Sequence, residues 1–400
     1  RSVIRLWIIL VTTAAIASSA LGLAYIGYSR RKIAALNIDT KTAYELATKE
    51  TGGAREWEQV ERAALDWFQW EPENAKPLLY AAEAASRQNA INRKALYLFK
   101  LPDEDPQSVV GLLELSDMQF RMLNDPIACE DTCHRILRID SKNGEAFLRL
   151  GFYYAMSRQR SQLVDIARRA IQRGGDTPAT YLYLMGADWL VFSNGHEFNT
   201  QWLQSNPRNE IFQVAAAIHF TSTAALSEAS LGESGRKQTE QVMQELLDRF
   251  PKNLEALALH LNAACYRGQV DRVITLLEQA PTGSAKDSRF WTFKGWVHEQ
   301  RDEFDEAEES YLNAIKLYPY DEKAYHWLAG VYRQTNELKK SERYEQISVI
   351  GTEIKREALQ LSDTLSLPPD LMRKMVKFAA AVGDAQVAKG LQQRLAESPP

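Results

Sequence analysis

The sequence predicts an all-α chain: an N-terminal transmembrane helix followed by an α-solenoid of stacked helical hairpins. Three features point there: an uncharged N-terminal stretch of 24 residues, helix breaks at multiples of one interval, and apolar residues at three- and four-residue spacing without strand-type alternation.

The uncharged stretch runs from Leu6 to Ser29, with Arg1 and Arg5 before it and Arg30, Arg31 and Lys32 after it. At a rise of 1.5 Å per residue it makes roughly 36 Å of helix, enough to cross a hydrocarbon core with some tilt. Trp7 lies near one end and Tyr25 and Tyr28 near the other, the levels that interfacial aromatics prefer. The expected membrane anchor is therefore residues 1–32, with Leu6, Trp7, Tyr25, Tyr28, Arg30 and Arg31 as its contacts with the lipid bilayer. Small residues at Ala17-Ser18-Ser19-Ala20 would suit cleavage of a leader, but the apolar run continues past them, beyond the roughly 7–15 residues of a leader's core. The flanking basic residues are too evenly divided to assign the solenoid to one side of the membrane, so the expectation is a single-pass membrane protein of open sidedness.

With 400 residues, the chain exceeds what one core usually organises, which favours several domains or a repeat array. Its 48 basic and 52 acidic residues are well mixed and give a net charge of −4. No broad basic field exists to neutralise phosphates, which disfavours a nucleic-acid partner. Three cysteines, Cys129, Cys133 and Cys265, are too few for a disulfide framework.

Past Lys32 the helix breaks share a chemistry. Pro72-Glu73-Asn74, Pro207-Arg208-Asn209, Pro251-Lys252-Asn253 and Pro319-Tyr320-Asp321 all read Pro-x-Asn/Asp, and Ser141-Lys142-Asn143 keeps the last position. Proline ends one helix because it has no N–H and clashes with the preceding turn. The Asn or Asp two residues on can cap the next helix by accepting from its free N–H groups. The breaks at 72, 141 and 207 are 69 and 66 residues apart, and those at 251 and 319 are 68 apart, each about twice a 34-residue period. Between 207 and 251 the interval is 44, and the excess is expected in an extended loop around Ser227–Lys237.

A two-helix period of 34 residues is the signature of the tetratricopeptide-repeat (TPR) family. The segment from Ser288 to Asp321 resembles it best, with Trp291, Gly295, Ala307, Tyr311, Ala314 and Pro319 at the family's large, small, small, aromatic, small and proline positions. Phe147, Leu150, Gly151, Tyr154, Ala167 and Ala170 form a weaker copy, as do Tyr325, Leu328, Ala329 and Tyr332, while residues 176–236 depart most. The resemblance covers most of residues 40–360. It implies a right-handed superhelix of about eight to nine hairpins over residues 33–361, and a last hairpin in 362–400, opened by Pro368-Pro369, would cap it. It also implies a concave groove lined by outward-facing positions of each first helix. At the matching positions here stand Asn262, Tyr266, Arg289, Thr292, Trp296, Glu299, Gln300, Lys323, His326 and Arg333, a mixed aromatic and charged lining suited to a protein partner. The basic and asparagine clamp with which some TPR domains grip a chaperone tail is not reproduced.

No catalytic motif survives inspection. Gly232-Glu233-Ser234-Gly235-Arg236-Lys237 lacks the glycine spacing and Lys-Ser/Thr pair of a phosphate loop, and is expected to be a flexible linker. Cys129 and Cys133 share a helical face without a second pair of ligands nearby, so buried thiols are expected rather than a metal site. His196-Glu197 and His298-Glu299 each lack the second histidine of a zinc-protease helix. The expectation is a non-enzymatic, membrane-tethered adaptor for protein partners, an accessory subunit of a membrane complex without cofactor or small-molecule substrate. The competing expectation is a regulator or assembly factor of envelope biogenesis that recruits enzymes or proteases.

Overall fold

The computed structural model describes residues 2–49, 53–226, 232–361 and 363–397, and their side chains except at 2–21, 223–226, 232–234 and 236. Among the described residues there are twenty α-helices, one short 3-10 segment at Thr282–Lys286, and no strand. They divide into two compact units, residues 1–123 with 127–140, and residues 124–126 with 141–400.

The first unit opens with α1 (Ser2–Ala47), a single helix without proline that runs from the expected anchor directly into the array. It is followed by α2 (Ala54–Trp70), α3 (Ala75–Arg87), α4 (Ile91–Phe99), α5 (Ser108–Arg121) and α6 (Pro126–Ile139). The α1–α2 pair is antiparallel: Tyr44 meets Trp57 edge to face at 5.7 Å between ring centroids, and further along Tyr28 meets Trp70 at 6.0 Å. Ala47, Trp57, Val60 and Ala84 form a core there, joined by Tyr44 and Tyr80. Arg135 of α6 ties down the turn after α4 by donating to the Phe99 carbonyl (2.7 Å) and to Asp103.

The second unit contains α7 (Gly144–Met156), α8 (Arg160–Arg173), α9 (Pro178–Met185), α10 (Gly195–Ser205), α11 (Glu210–Leu226), α12 (Gly232–Arg249), α13 (Leu254–Tyr266) and α14 (Val270–Gln279). It continues with α15 (Ser288–Glu299), α16 (Phe304–Leu317), α17 (Glu322–Gln334), α18 (Leu338–Ala358), α19 (Pro369–Ala381) and α20 (Ala385–Glu397). The predicted break residues do cap. Asn74, Asn143, Asn209, Asn253 and Asp321 each accept from backbone N–H groups at the start of the following helix. Asp287 caps α15 in the same way, which places Asn253, Asp287 and Asp321 one 34-residue period apart. A second periodic device closes each hairpin. Gly268, Asp302 and Asn336, also 34 apart, stand in the left-handed region between paired helices, as do Asn89 and Arg158 in earlier ones. Glycine, Asn and Asp enter that region cheaply; Arg158 does not.

Two expectations need correcting. Gly232–Lys237 is not a flexible linker but the start of α12, and residues 227–231 lie outside those described. Around residues 176–236 the pairing changes: α9 packs on α7, α8 and α20, whereas α10 packs on α7 and α11. A C-terminal hairpin forms after Pro368, but it does not only end the array. α19 packs on α18, and α20 lies back on α8 and α9. Asp384 pairs with Arg168 and accepts from the Tyr320 hydroxyl (2.8 Å), while Asp176 pairs with Arg394 (2.8 Å) and accepts from the Tyr181 hydroxyl (2.7 Å). Tyr318 donates to the Leu184 carbonyl (2.6 Å), so α16 also reaches α9. Within this unit the array closes on itself.

The predicted anchor falls mostly on residues whose side chains are not described, Leu6 and Trp7 included. Among the described residues, no helix is long and apolar enough to cross a membrane.

Candidate partner-binding surface

The ten residues expected to line one groove separate into an interior group and a surface group. Capping explains part of the interior group. Asp287 must sit at the N-terminus of α15 to accept from the Arg289 N–H (3.1 Å), and this turns the Arg289 side chain back onto the same carboxylate. Arg289 donates to Asp287 at 2.7 Å and bidentately to Glu255 of α13 at 2.6 and 2.8 Å. Arg160, at the start of α8, pairs with Asp188, donates to the Ser288 hydroxyl (2.7 Å) and lies 4.6 Å over the Tyr318 ring. Arg158 donates to the Leu190 carbonyl (2.7 Å). Three guanidinium groups and the carboxylates of Asp188, Glu255 and Asp287 are thus gathered in one buried cluster.

Electrostatics keep Asp287, Asp188 and Arg289 ionised, while burial pushes the Arg158 guanidinium down. Burial disfavours charge on Asp287, but Arg289 and Arg160 overcome it and hold the carboxyl at about 2. Burial likewise opposes charge on Asp188, and Arg160 holds it below the usual carboxylate range. The Arg289 guanidinium, also disfavoured by burial, is held protonated by Asp287 and Glu255. Asp321, beside the cluster, goes the other way from its carboxylates. Burial, then Asp188, pushes it up to about 6, although it accepts from Thr292 (2.8 Å). Next to the cluster, His219 is pushed down to about 4 by burial and by Arg158, and its ring meets the Met156 carbonyl at 2.8 Å.

Arg289, Thr292 and Trp296 therefore do not line a solvent-facing groove. Arg289 and Thr292 hold the interior together, and Trp296, 7% exposed, packs with Leu261, Cys265 and Phe293. The roles expected of two tryptophans are exchanged. Trp291, assigned to packing, is half-exposed beneath Lys294 (4.6 Å from ring to ammonium), while Trp296, assigned to the lining, is in the core. The cause is that α13, α17 and the α8–α9 region cover the inner side of α15.

The surface group is ordered by its own contacts. Tyr266, at the end of α13, is 78% exposed, and the Lys323 ammonium lies 5.4 Å from its ring centroid while donating to Asn262 (2.6 Å). One turn and more along α17, His326 and Arg333 are exposed and each lies 3.5 Å from Glu345 of α18. Glu299 bridges towards the interior: it accepts from the Tyr311 hydroxyl (2.9 Å), and burial raises its pKa. Gln300 is exposed at the end of α15. Beyond Arg333, an open depression of about 660 Å³ is floored by Leu338, Val349 and Ile350. This surface offers an aromatic face, two cations, an acidic partner and an apolar recess, the chemistry that protein contacts use. The recess was not visible in the sequence, because Leu338 and Val349 sit on the second helix of their hairpin, outside the expected lining.

Cys129, Cys133 and Cys265 are buried, and among the described residues no cluster of His, Cys, Asp and Glu is arranged to hold a metal. No protein-family model matches the chain, and no curated protein matches it. Solved structures similar to it include a tetratricopeptide repeat protein from Parabacteroides merdae, at 12% identity over 77% of this chain and 98% of that one, with a TM-score of 0.28. The APC/C hetero-tetramer Cut9–Hcn1 is 12% identical over 90% and 78% of the two chains, with a TM-score of 0.33. Human IFIT1, solved as a dimer with PPP-AAAA, is 14% identical over 86% and 94%, with a TM-score of 0.33.

Proposed function

We propose that this chain is a membrane-tethered helical-repeat scaffold that captures a protein partner, acting as an accessory subunit of a membrane-associated complex and not as an enzyme. The observation that carries the partner-binding reading is the surface of Tyr266, Lys323, His326 and Arg333. Tyr266 at the end of α13 meets Lys323 of α17, His326 and Arg333 follow along α17, and the Tyr266 ring and Arg333 guanidinium stay exposed despite their contacts with Lys323 and Glu345. A preformed surface of this kind binds without a large ordering cost, and aromatic and arginine side chains are the usual anchors of such contacts. TPR-like arrays characteristically use their inner faces in this way, which supports the reading.

Tethering rests on α1 continuing the array's first helix into the uncharged stretch, and on Leu23, Tyr25, Ile26 and Tyr28 being exposed where that helix leaves α2. Confinement to a membrane plane would raise the effective concentration of a captured partner near other membrane proteins. The scaffold is tested by gentle detergent extraction of the full chain and quantitative mass spectrometry of the proteins that accompany it. Tyr266→Ala and Arg333→Glu should each reduce a stoichiometric partner at least several-fold, with circular dichroism unchanged. Equal recovery with both variants would remove this surface from the function.

A further inference from the structure

We propose that the C-terminal end of α2 rests in the headgroup layer of a lipid bilayer, with Trp70 and Tyr28 forming a two-helix aromatic anchor. This rests on the tethering reading and adds to it where the membrane surface cuts the fold. The sequence offers Tyr25 and Tyr28 as interfacial aromatics at this end of the stretch; the structure sets Trp70, 42 residues from Tyr28, against the Tyr28 ring.

The argument begins with the antiparallel α1–α2 pair. Tyr44 lies against Trp57 at one end, and Tyr28 against Trp70 at the other, where α2 stops before Pro72. N-terminal to Tyr28, α1 has no partner in α2. There Leu23 is 70% exposed, Tyr25 66% and Ile26 48%, so this stretch is apolar around its circumference. Isolated apolar side chains on a surface need no explanation, but a helix exposing them on all sides has no aqueous role. Immediately C-terminal, Arg30, Arg31 and Lys32 are exposed. Reading along the helix, lipid-facing side chains give way within one turn to a tyrosine and then to three cations, the order that a hydrocarbon–headgroup boundary selects.

Trp70 fits that boundary independently. It is 36% exposed, its ring edge contacts Tyr28, and it ends a helix whose other tryptophans, Trp57 and Trp67, are buried. Tryptophan prefers the interface because its large ring is apolar while its N–H keeps a polar partner. The half-buried Glu71 carboxylate is turned back onto the Trp67 indole (2.8 Å) and the Asn74 amide (2.9 Å), and Glu73 is exposed to the aqueous side of the headgroups. With two rings from two helices at one level, the first hairpin would stand with its far end, around Lys49, roughly 30 Å from the surface, given 1.5 Å per residue.

The test uses the full chain in vesicles of phosphatidylcholine and phosphatidylglycerol. The three native cysteines are buried, which leaves a single introduced thiol to carry an environment-sensitive fluorophore. Gln69→Cys puts it beside an intact Trp70, and Lys49→Cys puts it at the far end of the hairpin. The expected result is that lipid spin labels near the headgroup quench the probe at 69 several-fold more than the probe at 49, and more than labels deep in the acyl chains do. If the chain floats with vesicles but 69 is quenched no more than 49, the inference is overturned and the tether stands. If the chain does not float, the tethering reading itself fails. Self-quenching between labels at 69 that persists in detergent would assign Trp70 to a second copy of the chain, and would also overturn it.

Discussion

Replacing Arg289 with methionine separates a structural cluster from a binding groove. Methionine keeps the length and much of the apolar stem but removes four charge-assisted hydrogen bonds, two to Glu255 and two to Asp287. The partners are buried, with side-chain exposures of 15% and 9%. Unlike surface carboxylates, they cannot recover water when their cation is lost. Breaking a buried ion pair from one side costs about 3–5 kcal/mol, most of it the penalty for the charges left behind. Asp188, 3.8 Å from the Arg289 Nε, also loses a neighbour, so the upper half of that range is expected. Urea unfolding of purified full-length variants should show the cost as a lower midpoint of the transition of the second unit. Adding Glu255→Met to Arg289→Met should recover part of it, because one stranded carboxylate is gone while Asp287 keeps only Arg160 as a counter-ion. Arg333→Met, which removes an exposed guanidinium 3.5 Å from Glu345, should cost less than about 1 kcal/mol. If Arg289→Met proved as mild as Arg333→Met, or the double variant no more stable than the single, Arg289 would not be holding the interior together.

Asp384→Ala removes the Arg168 pair, the Tyr320 hydrogen bond and the cap on Val387 together, and should cost about 2–3 kcal/mol. Hydrogen exchange should then accelerate in α8 and α9 as well as in α20, which a simple end cap would not produce. Asp321→Asn should stabilise the protein near neutral pH. A carboxyl raised to about 6 when folded, against about 3.9 unfolded, contributes stability below pH 4 that is lost as pH rises through 6, a swing of about 3 kcal/mol. Asparagine still caps α17, so thermal melts of the variant from pH 4 to 8 should lack that decline. Gly295→Ala would set a Cβ 2.6 Å from the buried Tyr311 ring. The overpacking cost of about 1–3 kcal/mol should exceed the roughly 1 kcal/mol gained in helix propensity, giving a lower Tm.

The parts legible in the sequence were those that local chemistry decides. A proline followed two residues later by Asn or Asp must end one helix and start another, so four caps could be read directly, and Asn143 by its likeness to them without the proline. Asp287 escaped because no proline marks it, although it shares the 34-residue spacing. The candidate site was legible only in part. Tyr266, His326 and Arg333 are exposed as the repeat phase implied, but the same phase placed Arg289, Thr292 and Trp296 in the open. Repeat phase tells which side of a helix a residue occupies; it does not tell whether something distant covers that side. Over Trp296 the cover is α13, and over Arg289 it is the α7–α8 turn and the loop after α9, more than a hundred residues upstream, joined through Arg160 and Asp188. Nothing in the local pattern encodes that meeting, and the unusual left-handed Arg158 is legible as a signal only once its buried surroundings are known.

The return of α20 onto α8 and α9 has a consequence for how the protein is made. Tyr181 is sealed by its hydrogen bond to Asp176 and by the close approach of Gly390, and Arg394 reaches that same Asp176 across 218 residues. On the ribosome, the earlier hairpins emerge long before α20 exists, so their side chains for this seam wait uncovered through the synthesis of about half the chain. Early hairpins can stack as they appear, but the final joint must form late and between distant partners, which is slow. Nascent chains stalled before α20 should therefore bind chaperones through α8–α9, and release should coincide with arrival of the last helix.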